Sequence, residues 1–252
     1  WLKELFGLPA GWAGTVTSGA TMSNLVGLAA ARQWAGEQLG FNAAEDGLAG
    51  HPVIPVLSSS EIHASARKAL GTLGLGRSAV RALPAPGGRL DLDALDAALG
   101  EIEGPVIVVG NAGEVNTGQF DDLHGIADRL ERRGNAWLHV DGAFGLFAAA
   151  SPRFRHLTAG IERADSVGSD GHKWLNVPYD SGFAFVRDER VLRAAFSAAG
   201  AYLLPASGDG PDPMHAVPEM SRRFRALAIW CALRADGRAG YQAMIERCID
   251  NA

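Results

Sequence analysis

The chain has 252 residues, 47% of them hydrophobic and 20% charged, an ordinary globular composition able to bury a substantial core. Its formal net charge of −5 provides no basic footprint for nucleic acid or an anionic membrane. Every apolar run is interrupted well before the roughly 18 residues that a membrane helix needs, and Lys3 and Glu4 interrupt any secretory-signal pattern in the first eight residues.

In chain order, short β-rich runs alternate with helical ones. Strands are predicted over residues 53–57, 79–83, 106–109, 137–140, 166–169 and 182–186. Helices are predicted over 21–38, 63–73, 92–99, 123–133 and 153–163. Several strands are nearly continuous apolar runs, which suits a parallel sheet covered by helices on both faces. Asp91 and the Asp121-Asp122 pair stand where helix N-caps are needed. The alternation predicts an α/β three-layer sandwich. Beyond Asp188 a helix is expected over 189–199, a Pro- and Gly-rich loop over 205–218, and helix again over 221–249 with a break near Gly237 and Gly240. Cys231 and Cys248 fall in that last helical pattern and read as small helix residues in a reducing cytoplasm rather than a disulfide. The start without Met and the end directly after a helical pattern suggest a portion of a longer protein.

The informative polar residues fall at strand ends, where ligands of open α/β sheets collect. Ser169-Asp170-Gly171-His172-Lys173-Trp174 places an amine between a His and a large apolar ring after a strand. Such a lysine is often a solvated charge; desolvation or a neighbouring cation would instead make it a nucleophile near neutral pH. Asp141 closes an apolar strand ahead of Gly142 and Ala143. It could cap a turn, or keep a heteroaromatic nitrogen protonated so that the ring draws in electrons. Thr17-Ser18-Gly19-Ala20-Thr21 precedes a long Ala-rich helix and suits either an N-cap or a phosphate cradle. His63 is either a structural imidazole or a ring stacked on a flat cofactor, and Thr117 offers a hydroxyl in a turn. Individually each ordinary reading is adequate. Together, a phosphate cradle, a ring-stacking His, a hydroxyl, a carboxylate and an amine, each at or just beyond a strand end, are the functions by which pyridoxal 5′-phosphate (PLP) is recognised.

The segments TSGATMSNLVGLAAAR, SSSEIHASARKALGTLG, NAGEVNTGQFDDL, HVDGAFGLFAAASPRFR, SDGHKWLNVPYDSGFAFVRD and SRRFRALAIWCALRADG resemble, in order, the PLP-dependent group II amino-acid decarboxylases, which include the aromatic-amino-acid, histidine and glutamate decarboxylases. The resemblance implies the aspartate-aminotransferase fold (fold type I), with a mostly parallel seven-stranded sheet in which 182–186 is the antiparallel strand. It implies a PLP-binding large domain over 1–200, a mobile loop over 201–220, and a helical segment over 221–252 leading to a small C-terminal domain. Lys173 would form the Schiff base, Asp141 would pair with the pyridine nitrogen, His63 would stack on the ring and Ala143 would pack on its other face. Ser18, Gly19, Asp170 and His172 would lie around the phosphate, and Thr117 near the ring hydroxyl. A cytoplasmic homodimer with the site near its interface is also implied. The family's loop usually carries a proton-donating Tyr. Residues 203–220 contain none, which leaves Tyr202 nearby and His215 as the substitute.

The expected reaction is α-decarboxylation of an L-amino acid, releasing carbon dioxide and an amine. Alternatives on the same fold are another carbon–carbon lyase, a desulfurase, an aldehyde synthase or a non-catalytic relative. A nicotinamide-dependent dehydrogenase is disfavoured, because Gly71–Gly76 lies in or after a helix and no G-x-G-x-x-G follows a first strand.

Overall fold

A strand that is apolar on both faces needs cover on both sides, and β4 (Val106–Asn111) receives it. Val106 and Val108 enter one hydrophobic layer and Ile107 and Val109 the other, following the two-residue period of a strand. Around β4, the computed structural model, which describes residues 1–198 and 212–251, forms a seven-stranded sheet. Its other strands are β1 (Ala13–Thr17), β2 (Val56–Ser59), β3 (Val80–Leu83), β5 (Ala136–Asp141), β6 (Ser166–Asp170) and β7 (Gly182–Val186). The order is β1-β7-β6-β5-β4-β2-β3. β7 runs antiparallel to both neighbours, and the remaining pairings are parallel.

Helices complete the three layers expected from the alternation. On one face, α2 (Ala20–Gln38), α3 (Ala64–Thr72) and α6 (Glu189–Phe196) bury Val26, Leu28, Leu70, Val191 and Leu192. On the other, α1 (Leu2–Phe6), α4 (Leu92–Gly100), α5 (Leu123–Arg133) and α7 (Ala226–Asp250) bury Phe6, Leu95, Ile126, Tyr241 and Ile245. Asp91 and Asp122 cap α4 and α5 through their carboxylates. The small residues of α2 allow close approach to the sheet: a methyl at Gly27 would lie 2.6 Å from the His139 imidazole. No described helix is long and apolar enough to cross a membrane.

Three local expectations need correction. β1 was not anticipated, because Ala13-Gly14-Thr15-Val16-Thr17 carries little apolar pattern and is held as a strand by its register with β7. The expected helix over 153–163 is two short 3-10 turns, Arg155–Thr158 and Ile161–Arg163. Gly160 between them adopts φ 94, and its Cα packs so closely on His124 that a methyl there would sit 2.5 Å from the His124 nitrogen. β2 begins at Val56 rather than 53, since Pro52 and Pro55 flank an exposed Val53. α7 breaks at Gly237 (φ 60) as expected, while Gly240 stays helical. Cys231 and Cys248 are both free and exposed on α7. Residues 199–211, with Tyr202 and much of the expected loop, lie outside the described residues. At the β1 end of the sheet, Arg222 donates to the Val16 carbonyl and to Thr15 Oγ1.

Phe6, Phe147, Phe183 and Phe185 pack with ring centroids 5.0–6.5 Å apart and fix α1 against β7. Phe183→Ala is expected to lower unfolding stability by about 3–5 kcal/mol in urea titrations, the range for a fully buried ring. A loss under about 1 kcal/mol would show that this cluster contributes little.

Candidate active site

The strand register collects the chemistry. Thr17 and Asp170 both pair with Gly182, Asp141 pairs with Gly168, and Asn111 pairs with Asp141. The turns that follow β1, β4, β5 and β6 therefore open side by side at one edge of the sheet, where α/β folds bind ligands. They enclose, with the start of α3, a cavity of ≈ 230 Å³. Ser18, Gly19, His63, Asp141, Ala143, Asp170, His172 and Lys173 all line it.

Asp141, 7% exposed, forms the buried wall. Its Oδ2 accepts from Asn24 Nδ2 at 2.8 Å, and its Oδ1 accepts from the Ala143 amide at 3.1 Å. Burial pushes its carboxyl up; these two donors, with the charges of His63 and Lys173, pull the other way. Lys173 Nζ lies 2.8 Å from Asp170 Oδ2 and 3.8 Å from the centroid of the Phe144 ring. An ammonium held between a carboxylate and an aromatic face is restrained in the cavity that it lines.

His63 caps α3, and its Nδ1 accepts from the Ser65 amide at 3.2 Å, leaving the exposed ring at the mouth. His172 lies 3.3 Å from Asp170 and stacks on Tyr179, with centroids 3.9 Å apart. Ser18 and Gly19 sit where α2 begins, and the first-turn N–H groups of a helix lack intrahelical partners. A methyl at Gly19 would lie 3.0 Å from His172 Cε1 and 3.1 Å from Asp170 Oδ1, and one at Gly182 would lie 2.5 Å from Gly19 Cα. Backbone alone fits this corner.

Two residues stand apart from their expected places. Thr117 is exposed outside the cavity, where its hydroxyl donates to Glu114 Oε2 at 3.0 Å and packs on Gly88. The turn after β4 points Thr117 outward and brings Glu114 inward instead. Asp170 does line the cavity, yet its carboxylate takes the Ala20 N–H and the Lys173 ammonium. A carboxylate repels a phosphate, so the geometry suits Asp170 to holding Lys173 and the start of α2 rather than to direct phosphate contact. His215 sits on a 3-10 turn, Pro213–His215, away from the residues lining the cavity.

The sequence reading missed Asn24, Ser65, Glu114, Phe144 and Tyr179. Glu114 could have been found by the criterion that found Asp141, an acid just beyond an apolar strand. Burial pushes the Glu114 carboxyl up, but hydrogen bonds from Asn116 and Thr117 outweigh it and hold the group below the usual range. Asn24 lies inside a helix, where no local pattern marks it.

The family description "Pyridoxal-dependent decarboxylase conserved domain" matches residues 1–252. The chain belongs to this family. It is 36% identical over 261 residues to an L-2,4-diaminobutyrate decarboxylase of Rhizobium meliloti, covering 99% of this chain and 49% of the relative. It is 32% identical over 257 residues to an aromatic-L-amino-acid decarboxylase of Bacillus atrophaeus, covering 99% and 51%. A crystal structure of Oryza sativa TDC with PLP and tryptamine superposes with a TM-score of 0.85 at 28% identity, covering 96% of this chain and 52% of that one. The chain spans about half the length of the curated relatives it matches.

The family's cofactor is pyridoxal phosphate, and the cavity fits it. The backbone cradle at Gly19, the oriented amine and the buried carboxylate are the donor set that such a group needs. Behind that carboxylate, burial pushes His139 down to about 3 from 6.5, so it is neutral in the folded chain. An unfolded chain takes up a proton there below pH 6.5 and the folded one does so only near 3. This contribution to stability is therefore intact above 6.5 and is lost as pH falls through that window. Urea titrations at about pH 7.5 and about pH 5 should show His139→Gln losing about 2 kcal/mol less than the wild type over that interval. Equal losses would mean that His139 titrates normally.

Proposed function

We propose that the protein is a PLP-dependent carboxy-lyase that removes the α-carboxylate of an L-amino acid, with Lys173 as the covalent anchor of the cofactor and Asp141 as the partner of its pyridine nitrogen. The observation that carries this reading is the shared cavity: an oriented amine and a buried carboxylate, brought from successive strands β5 and β6 to one ring-sized space. When bound, PLP supplies an electron sink for the electron pair left by the departing carbon dioxide.

The chain's own residues divide the remaining work. Asp141, kept from water and supplied with two N–H donors, keeps the ring nitrogen protonated by ion pairing. His63 presents its ring at one face of the space, and Ala143 offers a methyl small enough for close contact on the other. Ser18, Gly19 and the first turn of α2 hold the phosphate, with His172 beside them. Lys173 is the amine that lines the cavity and would be available there to move a proton. Val115 and Tyr179 expose apolar surface near the mouth, surface that a second subunit in a homodimer would cover.

Two variants test the assignment in the full-length protein. Lys173→Ala should abolish borohydride trapping of the cofactor, and a retained adduct would place the covalent link elsewhere. Asp141→Ala should still bind some cofactor yet lose about 10²–10³ in turnover, as for loss of one preorganised charge partner. Carbon dioxide, amine, ammonia and hydrogen peroxide measured together across an amino-acid panel identify the reaction. Peroxide and aldehyde in place of amine would replace the simple decarboxylase reading by an oxidative one.

A further inference from the structure

The buried side of Asp141 is connected to a set of polar side chains to which no role has been given. Asn24 is 0% exposed. Its Nδ2 donates to Asp141 Oδ2 at 2.8 Å and to Ser65 Oγ at 3.1 Å, while its Oδ1 faces His139 Nε2 at 3.1 Å. Beyond it, His139 Nδ1 lies 2.8 Å from Ser166 Oγ, which accepts from Trp137 Nε1 at 2.9 Å.

Asn24 fixes the directions: its amide nitrogen can only donate and its amide oxygen can only accept, so His139 donates from Nε2 and, being neutral, accepts at Nδ1. An indole N–H can only donate, and an ionised carboxylate can only accept. Trp137 therefore donates to Ser166, Ser166 to His139 Nδ1, His139 Nε2 to Asn24 Oδ1, and Asn24 to Asp141. The second hydrogen of the Asn24 amide goes to Ser65 Oγ, whose own proton is directed at His63 Nδ1, 2.7 Å away. His63 Nδ1 also accepts from the Ser65 amide, so the ring proton of His63 resides on Nε2.

Space is reserved for this arrangement. A methyl at Gly168 would come within 2.7 Å of Asn24 Oδ1, and one at Gly27 within 2.6 Å of the His139 ring. The neutral state of His139 agrees with a ring that donates on one nitrogen and accepts on the other.

We infer that Asn24 is a positioning residue: its single amide supplies the donor that holds the Asp141 carboxylate aimed into the cavity, and through Ser65 it orients the ring of His63. The inference rests on the reading of Asp141 as the partner of the cofactor nitrogen and extends it to a residue that need not touch the cofactor. Without Asn24, the carboxylate loses one of its two hydrogen-bond donors and keeps the Ala143 amide, so its hold on a protonated ring nitrogen weakens.

The test is a double-mutant cycle on cofactor binding in the full-length protein, using PLP itself as the probe. PLP dissociation constants are measured by fluorescence titration for the wild type, Asn24→Ala, Asp141→Ala and the double variant. Thermal unfolding of each cofactor-free protein is recorded alongside. Asn24→Ala should weaken PLP roughly tenfold or more, the worth of a hydrogen bond to a charged group. In the Asp141→Ala background the same substitution should cost less than about twofold, because its partner is already gone. Equal losses in both backgrounds, or no loss in either, would overturn the proposal. Asn24→Ser serves where Asn24→Ala does not fold, with the same two outcomes. A second arm uses the 1-deaza analogue of PLP, in which carbon replaces the ring nitrogen: wild type and Asn24→Ala should bind it equally, and a persisting gap would also overturn the inference. If the wild type binds no PLP, or Asp141→Ala binds it as tightly as wild type, it is the parent reading of the site that fails.

Discussion

A carboxylate taken almost entirely out of water needs donors or a cation beside it, and the wall around Asp141 is organised by that need. Its two oxygens have separate N–H partners, one from the turn that follows it and one from a helix 117 residues away in sequence. On the α2 side the contact is close, since a methyl at Gly27 would meet the His139 ring at 2.6 Å and one at Gly168 would meet Asn24 Oδ1 at 2.7 Å. The helix, the glycines that admit it and the histidine behind it thus form one compensating structure around a single negative charge. Hydrophobic packing places the sheet and its helices; the electrostatic requirement then restricts which side chains are tolerated along the β5–α2 contact.

A second charge problem is met at the other side of the cavity by a different arrangement. Asp170 is as buried as Asp141, but it is compensated by an ammonium, an imidazole and a helix terminus, with Lys173, His172 and the Ala20 amide converging on it. One acid is therefore held by uncharged N–H donors and the other by the amine. The two carboxyl groups share a cavity without competing for the same partners.

Much of this was legible in the sequence where pattern and chemistry coincide. Apolar runs at 106–109 and 137–140 imply buried strands, the acids at 91 and 122 imply caps, Asp141 ends a strand and Lys173 follows one closely. What escaped depends on contacts distant in sequence. β1 exists as a strand because β7 pairs with it, and 153–163 fails as a helix because Gly160 must pass close to His124. Thr117 and Glu114 lie in one turn, and only the course of the backbone decides which of them faces inward. Asn24 reads as an ordinary polar residue in an Ala-rich helix until the sheet brings Asp141 and His139 to its two ends.

Arg222 at the β1 end of the sheet has a consequence beyond local bonding. A terminal strand presents carbonyls to which an extended segment of another molecule can add, the usual route to fibrillar association. By placing its guanidinium on the Val16 carbonyl, the chain occupies an acceptor that such a segment would need. In the folded chain that acceptor is thereby held by one cationic side chain some two hundred residues downstream of the strand.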